Sequence, residues 1–405
     1  MLVLKKDFVN NKKNDNILNM DKVEEILTRG VDEVIDKKHL EKRLRSGEKL
    51  RVKLGIDPTS PNIHIGRAVV LWKLKAFQEL GHKIVFIIGD FTGLIGDTSD
   101  KDAERPMMSE EEIKKNIHDY FEQAGKILDK SQTEMHYNSE WLEPLGFKKI
   151  GEMADLFGLH QFEARENIAC RLEQGKRISL RELLYPLMQG YDSVAIKADL
   201  ELGGTDQKFN LLAGRDIQKL YNQEPQDIMT MTLLEGTDGR KMSSSWGNVI
   251  NLIDEPDEMF GRVMSLNDDL IKKYFVLATR ISPKEIDEII KSNINPKDAK
   301  MRLAYEIVKI YHGGKEARGA QENFVKLFQK REIPEDIKEI KIKKGERLDN
   351  VLIENKIIPS KSEFRRLVKG RAIEADSQVV NNVNYVIEKS IVLRVGKKKF
   401  LKILI

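Results

Sequence analysis

The stretch from Val52 to Asp90 constrains the fold more than any other. Val52-Lys53-Leu54-Gly55-Ile56 reads as a short strand, and Asp57-Pro58-Thr59-Ser60-Pro61 ends it with prolines and small polar residues that open a turn. From His64 to Gly81 the residues Val69, Leu71, Leu74, Phe77 and Leu80 mark the apolar side of a helix. Lys83-Ile84-Val85-Phe86-Ile87-Ile88-Gly89-Asp90 follows as a continuous apolar run, the composition of a parallel strand buried on both faces. Strand, turn, helix and strand make a βαβ unit. The expected fold class is therefore α/β, with a doubly wound, Rossmann-like parallel sheet.

The rest of the chain is read by the same periodicities. Val23, Ile26, Leu27, Val31, Val34 and Ile35 predict a helical segment from Asp21 to Lys49. Phe91 to Pro106 reads as a loop, Glu110 to Ile127 as a helix, and Glu134 to Asn138 as a strand. Ile178 to Tyr191 is helical in pattern, and Ala195 to Leu202 reads as a strand leading into Gly203-Gly204-Thr205-Asp206-Gln207. Asp254 to about Lys330 is predominantly helical, and Lys341 to Ile405 mixes two short helices with later strands such as Ile391 to Val395. A chain of 405 residues is expected to divide into two or three domains. The divisions expected here are an extension over 1–19, the α/β domain over 20–250, a helical domain over 251–335 and a small α+β domain over 341–405.

Composition excludes several classes. No apolar run approaches the roughly 20 residues that span a bilayer, and Met1 to Asn19, rich in Asn and Lys, lacks the apolar stretch of a signal peptide. Cys170 is the single cysteine, which excludes an intrachain disulfide and a Cys-rich zinc site. A cytoplasmic protein without a protein-ligated metal is expected. Charge is uneven: Lys341 to Ile405 carries 16 basic and 7 acidic residues, against 53 and 58 in the remainder. A basic tail on a mildly acidic body suits a polyanion such as nucleic acid, or simply a solvated surface.

Two short segments suggest phosphate chemistry. A helix opening at His64-Ile65-Gly66-Arg67 presents unpaired N–H groups to an anion. His64 and Arg67 add donors, and Gly66 leaves room for a nucleobase or ribose. Gly239-Arg240-Lys241-Met242-Ser243-Ser244-Ser245 is a polar loop in which Lys241 supplies a point charge and the serines supply hydroxyls. Taken alone, either segment also fits a capped turn or a surface loop.

Together they resemble the HIGH and KMSKS signatures of class I aminoacyl-tRNA synthetases. Longer stretches sharpen the likeness: Lys53 to Thr59, Gly89 to Asp97, Leu184 to Asp192 and Gly203 to Gln207. From about Met20 onward the chain resembles the bacterial tyrosyl-tRNA synthetases. The resemblance implies that Asp97, Tyr185 and Gln189 grip the ammonium of L-tyrosine, Asp192 accepts its phenolic hydrogen and Gln207 lies near its carboxylate. It also implies that Gly55, Asp57, Thr59, His64, Gly66, Gly204, Asp206, Lys241 and Ser244 face ATP, with Asp206 on the ribose. The catalytic set is then His64, Arg67, Lys241 and Ser244.

The implied reaction forms tyrosyl-adenylate and then charges tRNA(Tyr), with Mg²⁺ arriving on ATP and a homodimer built through an insertion in the catalytic domain. Arg67 stands where the family has a second histidine and Ser244 where it has a second lysine; Lys101 and Arg105 are candidates for compensating charge. In the tail, Glu346 to Leu352 and Ser360 to Gly370 resemble the S4 RNA-binding module. Lys361, Arg365 and Lys369 fall on one helical face there, with Arg366 beside them. Two other readings share these features: an RNA-binding paralogue with impaired adenylation, and a tyrosine-adenylating enzyme with a different acceptor.

Overall fold

A computed structural model describes residues 22–99, 107–292, 295–329, 338–376, 378–396 and 399–405. The expected extension over 1–19, and Lys101 and Arg105, lie outside them. Contacts divide the chain between Arg318 and Gly319 into two units, each described by itself.

The first unit is built on a six-stranded sheet of β1 (Val31–Ile35), β2 (Arg51–Ile56), β3 (Lys83–Ile88), β4 (Thr133–Tyr137), β5 (Leu200–Gly204) and β6 (Asp227–Met231). Their spatial order is β1-β6-β5-β2-β3-β4. All neighbours pair parallel except β1, which runs antiparallel to β6. The βαβ unit is as expected, with β2 and β3 adjacent and in register from Arg51↔Lys83 to Ile56↔Ile88. From β2 the chain winds outward through β3 and β4, and from β5 it winds the other way to β6. The order therefore reverses between β2 and β5, and a crevice opens at their carboxyl ends, where open α/β sheets bind ligands.

The Ile65–Glu79 helix packs on this sheet through Ala68, Leu71, Leu74 and Phe77, all essentially without solvent exposure. Across the reversal, the Leu180–Ile196 helix is started by a capping box between Ser179 and Glu182. Its Tyr185, Gln189 and Asp192, spaced i, i+4 and i+7, share one face.

Four local expectations are corrected. The helical segment predicted from Asp21 to Lys49 is a helix over 22–28, the strand β1 and a Lys37–Ser46 helix. Gly30, at φ +67°, ends the first helix, and Val31 to Ile35 instead supply hydrogen-bonding partners to the edge of β6. The loop predicted from Phe91 contains a helix over Asp90–Ile95, held to the Ser139–Leu142 helix after β4, where the Asp90 carboxylate accepts from the N–H and hydroxyl of Ser139. The helix predicted over Glu110 to Ile127 is broken into Glu110–Ile117 and Tyr120–Ala124. Finally, Ala195 and Ile196 end a helix rather than begin a strand: Lys197 adopts φ 52° and turns the chain into β5.

The second unit carries a five-stranded sheet in the order β7 (Lys338–Lys341), β11 (Lys399–Leu404), β10 (Ile391–Val395), β8 (Ile373–Ala375) and β9 (Gln378–Val379). Leu348–Glu354 and Lys361–Lys369 are helices, and Leu348, Leu352, Phe364, Val368, Leu393 and Ile403 share its buried core. The two short helices and later strands are as predicted.

Candidate active site

A cavity of about 480 Å³ lies over the crevice between β2 and β5. Its lining contains every residue that the sequence assigned to catalysis, nucleotide or tyrosine, drawn from five separated parts of the chain.

His64 caps the N-terminus of the Ile65–Glu79 helix, its Nδ1 accepting the backbone N–H of Arg67 at 3.3 Å. Burial first, then the Arg67 and Lys241 charges, push His64 down to about 3, so the ring is neutral. With Nδ1 accepting, the ring proton sits on Nε2, and His64 is a donor without a charge. Gly66 has a packing reason: a Cβ there would lie 3.0 Å from His64 Nδ1 and 3.3 Å from Met242 Cβ. Gly55 is the open position, since a Cβ there would meet nothing within 4 Å. The Arg67 guanidinium donates to Thr59 Oγ1 at 3.0 Å and to the Tyr120 hydroxyl.

The second motif is carried to the first by the chain that follows it. Ile65 N–H donates to Ile250 O at 2.8 Å and Leu252 N–H to Ile63 O at 2.9 Å. Asn248 shapes the loop between them, accepting from Ser243 N–H at 2.8 Å and donating to Asp238 and to Lys241 O. Lys241 Nζ makes an ion pair with Asp206 Oδ2 at 2.9 Å, and the Ser244 and Ser60 hydroxyls are 3.1 Å apart.

Deeper in the cavity, the Tyr185 hydroxyl donates to Asp57 Oδ2 at 2.9 Å. Burial and the Asp57 carboxylate push the phenol well up, so it stays protonated. Asp97 accepts from Ser99 and from Gln207 Nε2 at 2.7 Å, which joins two of the predicted residues directly. Asp192 is 3% exposed and accepts from Trp141 Nε1 at 2.8 Å and from Asn138 Nδ2 at 3.4 Å. Burial pushes its carboxyl up to about 7 against the opposing pull of Lys53, Trp141 and Asn138.

Beneath this floor lies a network that sequence reasoning missed. Lys53 and Glu201 face each other across β2 and β5, both essentially unexposed, at 2.8 Å. Lys53 also donates to Gln189 O and Ser193 Oγ, while Gln189 Nε2 donates to Glu201 at 3.1 Å. The signal was available: one charge of each sign interrupts Val52-Lys53-Leu54 and Leu200-Glu201-Leu202, two otherwise apolar strands. Among the described residues no group of three or more His, Cys, Asp or Glu is placed to hold a metal ion.

The family described as "tRNA synthetases class I (W and Y)" matches residues 45–329. The chain belongs to that family. It is 47% identical to the tyrosine–tRNA ligase of Thermotoga maritima, over 93% of this chain and 96% of that protein. It is 45% identical to the tyrosine–tRNA ligase of Carboxydothermus hydrogenoformans, over 94% and 97%. In fold it is similar to a C-terminally truncated mitochondrial tyrosyl-tRNA synthetase from Aspergillus nidulans, with a TM-score of 0.64, 22% identity, and coverage of 76% of this chain and 94% of that one. The α/β class and the resemblance to class I synthetases thus stand. No helix among the described residues is long and apolar enough to cross a membrane.

Proposed function

We infer that this chain is a tyrosine–tRNA ligase. It joins L-tyrosine to ATP, forming tyrosyl-adenylate and pyrophosphate, and passes the tyrosyl group to the 3′ end of tRNA(Tyr). The observation that carries the reading is the joining, in one cavity, of a buried acceptor set suited to an amino acid and a donor set suited to a triphosphate.

In the first step an oxygen of the tyrosine carboxylate attacks the α-phosphorus, and the bond to the bridging oxygen of pyrophosphate breaks. No covalent enzyme intermediate is required, so catalysis rests on positioning and on donors aimed at developing charge. His64 offers a neutral N–H, and Lys241 a cation once nucleotide ribose displaces it from Asp206. Arg67 braces Thr59 and Tyr120 at the mouth of the cavity, and Ser244 contributes a hydroxyl. Asp192 reads the phenol and Asp97, Tyr185 and Gln189 receive the ammonium, while Gln207 lies toward the carboxylate. Mg²⁺ accompanies ATP as part of the substrate. In the second step the tRNA hydroxyl attacks the carbonyl carbon and AMP leaves.

The second unit serves as an S4-like RNA-binding module. Lys361, Arg365, Arg366 and Lys369 are exposed on one helix, with Arg366 held by Glu363 at 2.6 Å. Such a stripe gives affinity for a phosphate backbone with little sequence selection. The chain pairs with a second copy through the segment from Phe147 to Leu184, where Phe147, Leu159 and Leu180 are 89%, 61% and 79% exposed, large apolar side chains that a second copy would cover. A cytoplasmic location is part of this reading.

Purified chain should support both tyrosine-dependent ATP–pyrophosphate exchange and charging of a tRNA(Tyr) transcript. Exchange without charging would assign a different acceptor. Neither activity, with RNA binding retained, would leave an RNA-binding paralogue.

A further inference from the structure

A second cavity, of about 210 Å³, lies on the first unit between helix 22–28, the Ile65–Glu79 helix and residues 276–280. The motifs and the reaction make no use of it. Its distinguishing member is Lys73, an interior residue of the Ile65–Glu79 helix that is 6% exposed. A leucine or methionine there would continue the apolar face, yet the chain buries an ammonium. Lys73 Nζ donates to Ile26 O at 2.6 Å and, among the described residues, forms no salt bridge. An ammonium carries three donors, and Lys73 lines the cavity.

The surroundings add positive charge. Arg29 also lines the cavity, held by the carbonyls of Val276 and Thr279 and by the half-exposed carboxylate of Glu25. Arg280 stands at the rim with its guanidinium 4.3 Å from the centroid of the Trp72 ring, and Trp72 is itself fixed by Tyr311 at 3.2 Å. Lys22 completes four basic residues against the two acids Glu25 and Glu79. Burial pushes Lys73 down to about 7; Glu25 opposes this, and Arg29 and Arg280 add to it. The Glu25 carboxylate that favours the Lys73 cation is already paired with Arg29 at 3.0 Å, and an anion bound between Lys73, Arg29 and Arg280 would add counter-charge through charge-assisted hydrogen bonds.

We propose that this cavity binds a small phosphoryl anion, held by Lys73 at its base and Arg280 at its rim. The cavity has room for a phosphate or the phosphoryl end of a nucleotide. Lys73 lies nine residues beyond His64, on the helix whose N-terminus opens into the catalytic cavity, so the occupant would sit roughly 13 Å further along the same rod.

The test is calorimetric titration of the full chain with inorganic phosphate, then with AMP, in the parent and in Lys73→Met and Arg280→Gln. The heat that both variants lose belongs to this cavity, whatever the catalytic cavity binds. Saturable phosphate binding weakened about tenfold by Arg280→Gln, equivalent to about 1.4 kcal/mol, is expected, with a larger loss in Lys73→Met. AMP binding more tightly than phosphate at the same variant-sensitive site would identify a nucleotide as the source of the anion, and equal affinity would identify free phosphate. Arg280 is exposed, so its variant reads the site even where Lys73→Met fails to fold. Phosphate binding indifferent to both substitutions would overturn the proposal. So would a Lys73→Met chain with a raised melting temperature in a protein whose parent takes up no phosphate.

Discussion

At the scale of single residues, two positions decide how the site is read. His64 is both helix cap and cavity donor, and the two roles separate on substitution. His64→Ala should lower tyrosine-dependent exchange by about 10²-fold, the order expected for a group acting on transition-state charge, and should cost roughly 1 kcal/mol of stability as a lost cap. Tyrosine affinity, measured by equilibrium dialysis, should stay nearly unchanged; unchanged exchange would remove His64 from the chemistry. Asp192 is the second position, raised from 3.8 to about 7 by burial. Because the folded carboxyl holds its proton more tightly than the unfolded one, its contribution to stability is full below about pH 4 and is lost as pH rises through about 7. A bound phenol that donates to the ionised form reverses the preference. Tyrosine should therefore displace a proton near neutrality and bind more weakly as pH falls below about 7. Calorimetry in two buffers of different ionisation enthalpy reads that proton directly, and identical heats would show that Asp192 does not meet the phenol.

At the scale of elements, β2 and β5 share the buried Lys53–Glu201 pair, and the Leu180–Ile196 helix rests on it through Gln189 and Ser193. Removing one partner strands a charge. Lys53→Met alone should cost about 3–5 kcal/mol, whereas Lys53→Met with Glu201→Leu should recover most of that, since apolar replacement of a whole buried pair is often neutral. The double variant should still lose tyrosine affinity, because the Gln189 amide no longer has a carboxylate to fix its orientation. Urea melts and tyrosine titration separate the two effects; full recovery of both would make the pair merely structural. β2, β3 and the Ile65–Glu79 helix were legible, because the apolar run of β3 and the spacing of Val69, Leu74 and Phe77 are local periodicities. β1 was not, since Val31, Val34 and Ile35 suit either period until the unpaired edge of β6 is present to claim their backbone groups.

For the whole molecule, activation and RNA affinity are predicted to lie in different units. Reversing charge at Lys361, Arg365 and Lys369 should raise the KM for tRNA by about tenfold or more and flatten its dependence on salt, since backbone contacts release counterions. Pyrophosphate exchange should be unaffected. Equal loss of both activities would show that the substitutions disturb more than RNA contact. The exposed Phe147 gives a parallel measurement: Phe147→Glu should shift sedimentation from dimer toward monomer, because an apolar residue 89% exposed in one chain is otherwise left in water.

The order of apolar and polar residues determined by itself that β2, the Ile65–Glu79 helix and β3 form a βαβ unit. It also placed glycine, acid and amide residues at strand ends, where a reversed sheet opens a crevice. Such features follow from spacing over a few residues. Tertiary structure alone decided the partners: Tyr185 on Asp57, Arg67 on Thr59 and Tyr120, Lys241 on Asp206, Lys53 on Glu201. It alone left Lys73 beneath a cavity lined by arginines. The two members of most of these contacts are brought together from distant parts of the chain. A charge in an apolar run shows that some partner is required, but which group answers it depends on how the sheet and its helices close around it.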